Sequence, residues 1–194
     1  MQFDQKQIEE ARRLLSIEAE PDRETFNQLA RSPSFEIRAL LYDKVGNIRP
    51  PFAHLDEPQV DSFCIDFLLS SFRNNGRSGD DYLGNEYSRA EAAWELTAWF
   101  KTFLGEGKGH QLLRMRDELA QLWRHGDMDA RETILTHVLE HMLHIGPLRA
   151  LFEPWSADPE LAPAYSRGVE YALAFAEAVS TDEAKREPPP ARSE

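Results

Sequence analysis

The chain has one cysteine, Cys64, in 194 residues. No internal disulfide can staple it, and its stability has to come from a buried core. Bases are scarce relative to acids, 22 Lys and Arg against 34 Asp and Glu, for a formal charge of -12. A field of that sign repels phosphate backbones and anionic lipid, which sets aside nucleic acid and membrane surfaces as partners. No apolar run approaches the roughly 18 residues a membrane-spanning helix needs. Met1 to Ser16 carries charges throughout, where an export signal needs an apolar stretch. A cytoplasmic location follows as the expectation, and no glycine-rich loop after a strand pattern is present to cradle a phosphate.

What is present suits a helical core. The apolar fraction is 41%, with four Trp and eleven Phe, enough to offset the entropy of ordering the backbone. The length predicts a single domain over residues 1–180, followed by a disordered tail over 181–194 that contains Pro188, Pro189 and Pro190. Helix signals fill the rest, so the expected class is all-α, an irregular bundle of about eight or nine helices.

The first expected helix follows Asp4 and stops near Pro21, and the second covers 22–31. A third is capped by Ser32 with Pro33 in its first turn and ends at Gly46-Asn47. Pro50-Pro51 keeps 48–54 out of any helix. A helix from Pro58 to about Phe72 precedes the loop Asn74 to Asp81. Ser88-Arg89-Ala90-Glu91 has capping-box spacing and opens a helix whose row Trp94, Trp99, Phe100 and Phe103 is expected in the core. Further helices are expected over 110–125 and from Asp127 to Ile145, stopped by Gly146-Pro147. A short one follows around 148–152, and a last one covers 161–179 with Gly168 as its soft point.

Two stretches share offsets: Leu29, Arg31, Glu36 and Arg38 lie over Leu122, Arg124, Asp129 and Arg131, each set straddling a helix-to-helix turn. An acid and an arginine two apart at the start of the second helix can tie such a turn to its neighbour. The pattern resembles the helical hairpins of HEAT-type repeat proteins.

One segment carries the pattern of a chemical site. His137-Val138-Leu139-Glu140-His141 has the H-x-x-E-H form, and with His144 it resembles the zinc helix of the pitrilysin-type metallopeptidases. That resemblance implies zinc ligands at His137 and His141 with Glu140 as general base. On an α-helical wheel His137, His141 and His144 fall within about 60° of one another and all reach one ion. Those peptidases are longer α/β proteins that draw a third ligand, a glutamate, from well beyond the helix. Here Glu170 and Glu177 of the last helix are the available substitutes. The competing and favoured reading makes the same span the second helix of a hairpin, with half-buried histidines on its shoulder, no metal or other cofactor, and no enzymatic role.

Cys64 sits among Phe63, Ile65 and Phe67 with no neighbouring base and reads as a small buried residue. Asp56, Glu57 and Asp61, then Asp80, Asp81 and Glu86, form two acidic groups beside loops, suited to dock a basic protein surface. Size, acidity and helical hairpins together resemble the small acidic immunity proteins of bacterial toxin systems. The resemblance implies a protein-binding module that neutralises a toxin-like partner. A zinc-dependent hydrolase and a helical scaffold or regulator are the alternatives.

Overall fold

A computed structural model describes residues 5–16, 20–46, 48, 51–74 and 88–186. Every regular element among them is helical: α1 (Gln5–Leu15), α2 (Arg23–Ala30), α3 (Phe35–Gly46), α4 (Glu57–Asn74), α5 (Arg89–Gly105), α6 (Gly109–His125), α7 (Met128–Thr133), α8 (Gly146–Phe152) and α9 (Ala162–Arg186). A π-helical segment, Ile134–Leu139, continues α7, and a 3-10 turn, Glu153–Ala157, continues α8. The chain is all-α, as its patterning predicts; two matching turns alone do not establish a HEAT-like repeat. No helix among the described residues is long and apolar enough to cross a membrane.

The chain divides into two compact units, 1–92 and 93–194, with the boundary in the first turn of α5. In the first, α3 packs against α1, α2 and α4. Asp22 caps α2 by accepting the Thr25 N–H at 2.8 Å. The cap of α3 is buried Ser34, whose hydroxyl accepts from Ile37 N–H, in place of the expected Ser32; Ser32 instead accepts the Ser34 N–H, so the chain makes one further turn before the helix starts. The buried face is aromatic, with Phe26 edge-on to Phe63 at 5.5 Å and Tyr42 stacked on Phe67 at 4.8 Å. Cys64 is buried on the same helix as Phe63 and Phe67.

The non-helical stretch before α4 is held by one side chain. The Glu20 carboxylate accepts the backbone N–H groups of Ala53, His54 and Leu55 at 2.7, 2.8 and 2.7 Å. Burial raises its pKa, but these donors favour the charged form more strongly and the net shift is downward.

In the second unit, Asp127 caps α7 through the Ala130 N–H. The single helix expected over Asp127–Ile145 is in fact six α-helical residues, then the π segment, then turns to Ile145. Gly146-Pro147 opens α8 and does not end a helix, consistent with proline's fitness for a first turn. Gly168, expected as a soft point, is a contact: a Cβ there would lie 2.8 Å from the Leu139 Cβ, so glycine lets α9 approach the π segment. Helix α9 runs through Thr181 to Arg186, beyond the expected start of the tail. Residues 187–194 lie outside the described residues.

Candidate functional site

The histidine-bearing segment is built on a departure from α-helical pitch. The Glu140 N–H donates to Leu135 O at 3.0 Å, five residues back. The Thr97 hydroxyl of α5 lies within hydrogen-bond distance of two carbonyls, Ala93 at 3.0 Å and His137 at 3.1 Å. It therefore fastens the widened turn to α5. Ile134, Leu135, Val138 and Leu139 are all buried beneath this turn, and π segments of this kind recur at functional sites.

The change of pitch also changes what the histidines can do. A wheel drawn at constant α-helical pitch brings His137, His141 and His144 to one ion, but His137 lies inside the π segment and the other two in the turns after it. Among the described residues no three His, Cys, Asp or Glu side chains form a group able to hold a metal ion. The convergence expected from the wheel is not found, and neither Glu170 nor Glu177 completes a ligand set. Glu140 is half-buried beside His141.

Each imidazole has its own surroundings. His137 Nδ1 is 2.8 Å from the Thr136 hydroxyl, which itself donates to Glu132 O. With its one proton so used, the hydroxyl is placed to accept from an Nδ1–H of the ring. His144 keeps a buried Nδ1 with no hydrogen-bond partner. His141 lies between aromatic rings, its centroid 4.4 Å from Trp94 and 4.7 Å from Phe175, the latter edge-on. Burial depresses its pKa, opposed by Glu140 and reinforced by Lys101, His137 and His144.

The residue this arrangement presents outward is Trp94. Expected in the core, it is 45% exposed, while Phe100 and Phe103 of the same helix are fully buried. Its ring also meets His137 edge-on at 5.9 Å. The signal was available in the sequence. Ala93, Leu96, Phe100 and Phe103 make the buried stripe at helical spacing, whereas Trp94 shares a face with Ala98 and Lys101. Phe175, on α9, carried no such signal.

The two acidic groups fare differently. Asp56 is exposed just ahead of α4 and Glu57 is half-buried in its first turn. Asp61 is 4% exposed and is no docking residue, because it falls on the buried face of α4 with Val60, Cys64 and Ile65. Asp80, Asp81 and Glu86 lie outside the described residues. No family model matches the chain, and no curated protein or solved structure matches it.

Proposed function

We propose that the chain is a protein-binding module that docks a basic partner through a surface centred on Trp94. The carrying observation is a half-exposed indole, 45% accessible, seated on His141. Tryptophan is the residue type that most often dominates an interface, and a ring already fixed by its neighbours loses little side-chain entropy when a partner covers it. The charge of -12 supplies long-range attraction for a basic surface. The narrower reading is an immunity-type protein that neutralises a bacterial toxin by covering it, acting in the cytoplasm without cofactor or catalytic step. Size, acidity and helical turns support that version.

The test is capture from the cells of origin with the parent chain and with Trp94→Ala as baits, identification of what is retained, and association kinetics over a salt series. A basic protein held by the parent, released about tenfold faster or more from the variant, and associating more slowly as salt rises is the expected outcome. Equal retention by both baits ends the Trp94 reading; a salt-insensitive association rate ends the electrostatic one.

A further inference from the structure

Arg31 and Arg38 belong to the turn that the sequence pairs with Arg124 and Arg131, and they end in a different situation. Arg124 donates to Asp158 at 2.5 Å and to Glu160 at 3.1 Å. Arg131 donates to the backbone oxygens of Trp123 and Arg124 at 2.8 and 3.1 Å, closing the end of α6. Among the described residues no hydrogen bond or ion pair engages the guanidinium of Arg31 or of Arg38, in a chain with 34 acids. The Arg38 Nε is buried with nothing to donate to. Glu36, the acid of this turn, is occupied by the Ser34 hydroxyl at 2.7 Å.

Both arginines line one cavity of about 250 Å³ in the first unit, walled by Phe26, Phe63 and Phe67 and bordered by Asp66. Its polar wall is already ordered, since the Gln59 amide donates to Asn27 Oδ1 at 2.6 Å. A buried donor without an acceptor costs free energy, more so on a charged group, and a ligand oxygen toward which the Arg38 side chain turns recovers it. The flat guanidinium fork matches a carboxylate in particular. The phenylalanine walls require an apolar body behind the anion. Asp66 at the border weighs against a dianion, and the volume is below that of ordinary drug-sized sites, which limits the ligand to fragment size.

We infer that the α2–α3–α4 cavity is a binding site for a small monocarboxylate with an apolar, preferably aromatic, body, held by Arg38 and Arg31. The site belongs to the first unit and Trp94 to the second, and its test is independent of the docking proposal.

The test titrates the full-length protein by calorimetry with benzoate as probe, with benzyl alcohol as its neutral analogue and inorganic phosphate as an anion without an apolar body. Benzoate binds saturably with a Kd of about 1 mM or tighter, in keeping with the energy a fragment of this size can gain. Benzyl alcohol and phosphate bind at least about tenfold more weakly, and Arg38→Met abolishes the benzoate signal while Arg149→Met, in the other unit, leaves it unchanged. If Arg38→Met does not fold, Arg38→Lys replaces it; that variant keeps the charge, loses the fork, and weakens benzoate by about tenfold. The inference is overturned if phosphate or benzyl alcohol matches benzoate, or if neither Arg38 variant changes its binding.

Discussion

The turn between α2 and α3 and the turn between α6 and α7 carry Leu, Arg, an acid and Arg at the same offsets, yet they put their arginines to opposite uses. At the second turn Arg124 and Arg131 are consumed by the fold, one on two carboxylates and the other on two carbonyls at the end of α6. At the first, Arg31 and Arg38 face a cavity and engage no acceptor among the described residues. Arg131 finds its two carbonyls within the motif, but the partners of Arg124 come from outside it. Asp158 and Glu160 reach Arg124 from the turn before α9, whereas Glu20, which precedes α2, is committed to three backbone amides of the 53–55 stretch. A shared motif thus fixes where an arginine is placed, and the acceptors within its reach decide whether it is structural or available.

The largest expected difference between the two units comes from glycines. Gly168→Val forces a branched side chain into the place where a Cβ already lies 2.8 Å from Leu139, and we expect a loss of about 3 kcal/mol. Gly46→Ala, whose Cβ would meet the Tyr42 ring at an ordinary 3.8 Å, leaves stability unchanged or raises it by up to about 1 kcal/mol. Chemical denaturation of the two variants checks both. Equal losses would mean that close packing against the π segment is not what Gly168 provides.

Glu20→Gln comes next, with an expected cost of about 1–2 kcal/mol once solvent screening is allowed for. The sign with pH follows from its lowered pKa. The carboxylate contribution is fully present above the unfolded value, about 4.3, and is lost as pH falls through the lower folded value. Urea midpoints of parent and variant should therefore converge as the pH is taken well below 4, and a gap that persists there would contradict the assignment.

His141 gives a smaller effect in the same acid direction. Its folded pKa is depressed, so the unfolded chain takes up the proton first, and stability is fully present above about 6.5 and declines as pH falls below it. Replacing it as His141→Phe keeps the ring contact with Trp94 and should flatten that decline between pH 7 and 5. A variant curve parallel to the parent's would assign the decline to another group. Trp94→Ala has the smallest expected effect on the melt, because nearly half of its surface is already in water, and the largest on partner capture.

Caps made most of the fold legible. Ser88 and Asp127 announce helix starts, and the structure shows each accepting the N–H three residues on; Asp22 does the same for α2, although the sequence pattern places it inside that helix. The π segment was not legible, because Ile134, Leu135, Val138 and Leu139 satisfy an α-helical pattern equally well, and the Thr97 contact with the His137 carbonyl comes from forty residues away in sequence. The same blindness applies to Asp61, whose carboxylate reads as surface until the buried face of α4 is known. For the candidate site, string similarity pointed to the segment against which Trp94 packs; among the described residues its histidines form no group of three metal-ligating side chains.

The unequal use of matching arginines is tested most directly by thermal melts of two double variants, Arg124→Met with Arg131→Met and Arg31→Met with Arg38→Met, at matched pH and salt. Breaking the second turn should lower the melting temperature by about 4–8 °C, corresponding to a loss of roughly 2 kcal/mol in a domain of this size. Clearing the first should leave it unchanged or raise it, since a partly buried charge without a partner is removed. Equal depressions from the two pairs would show that Arg31 and Arg38 hold the fold as firmly as their counterparts, and would contradict the account.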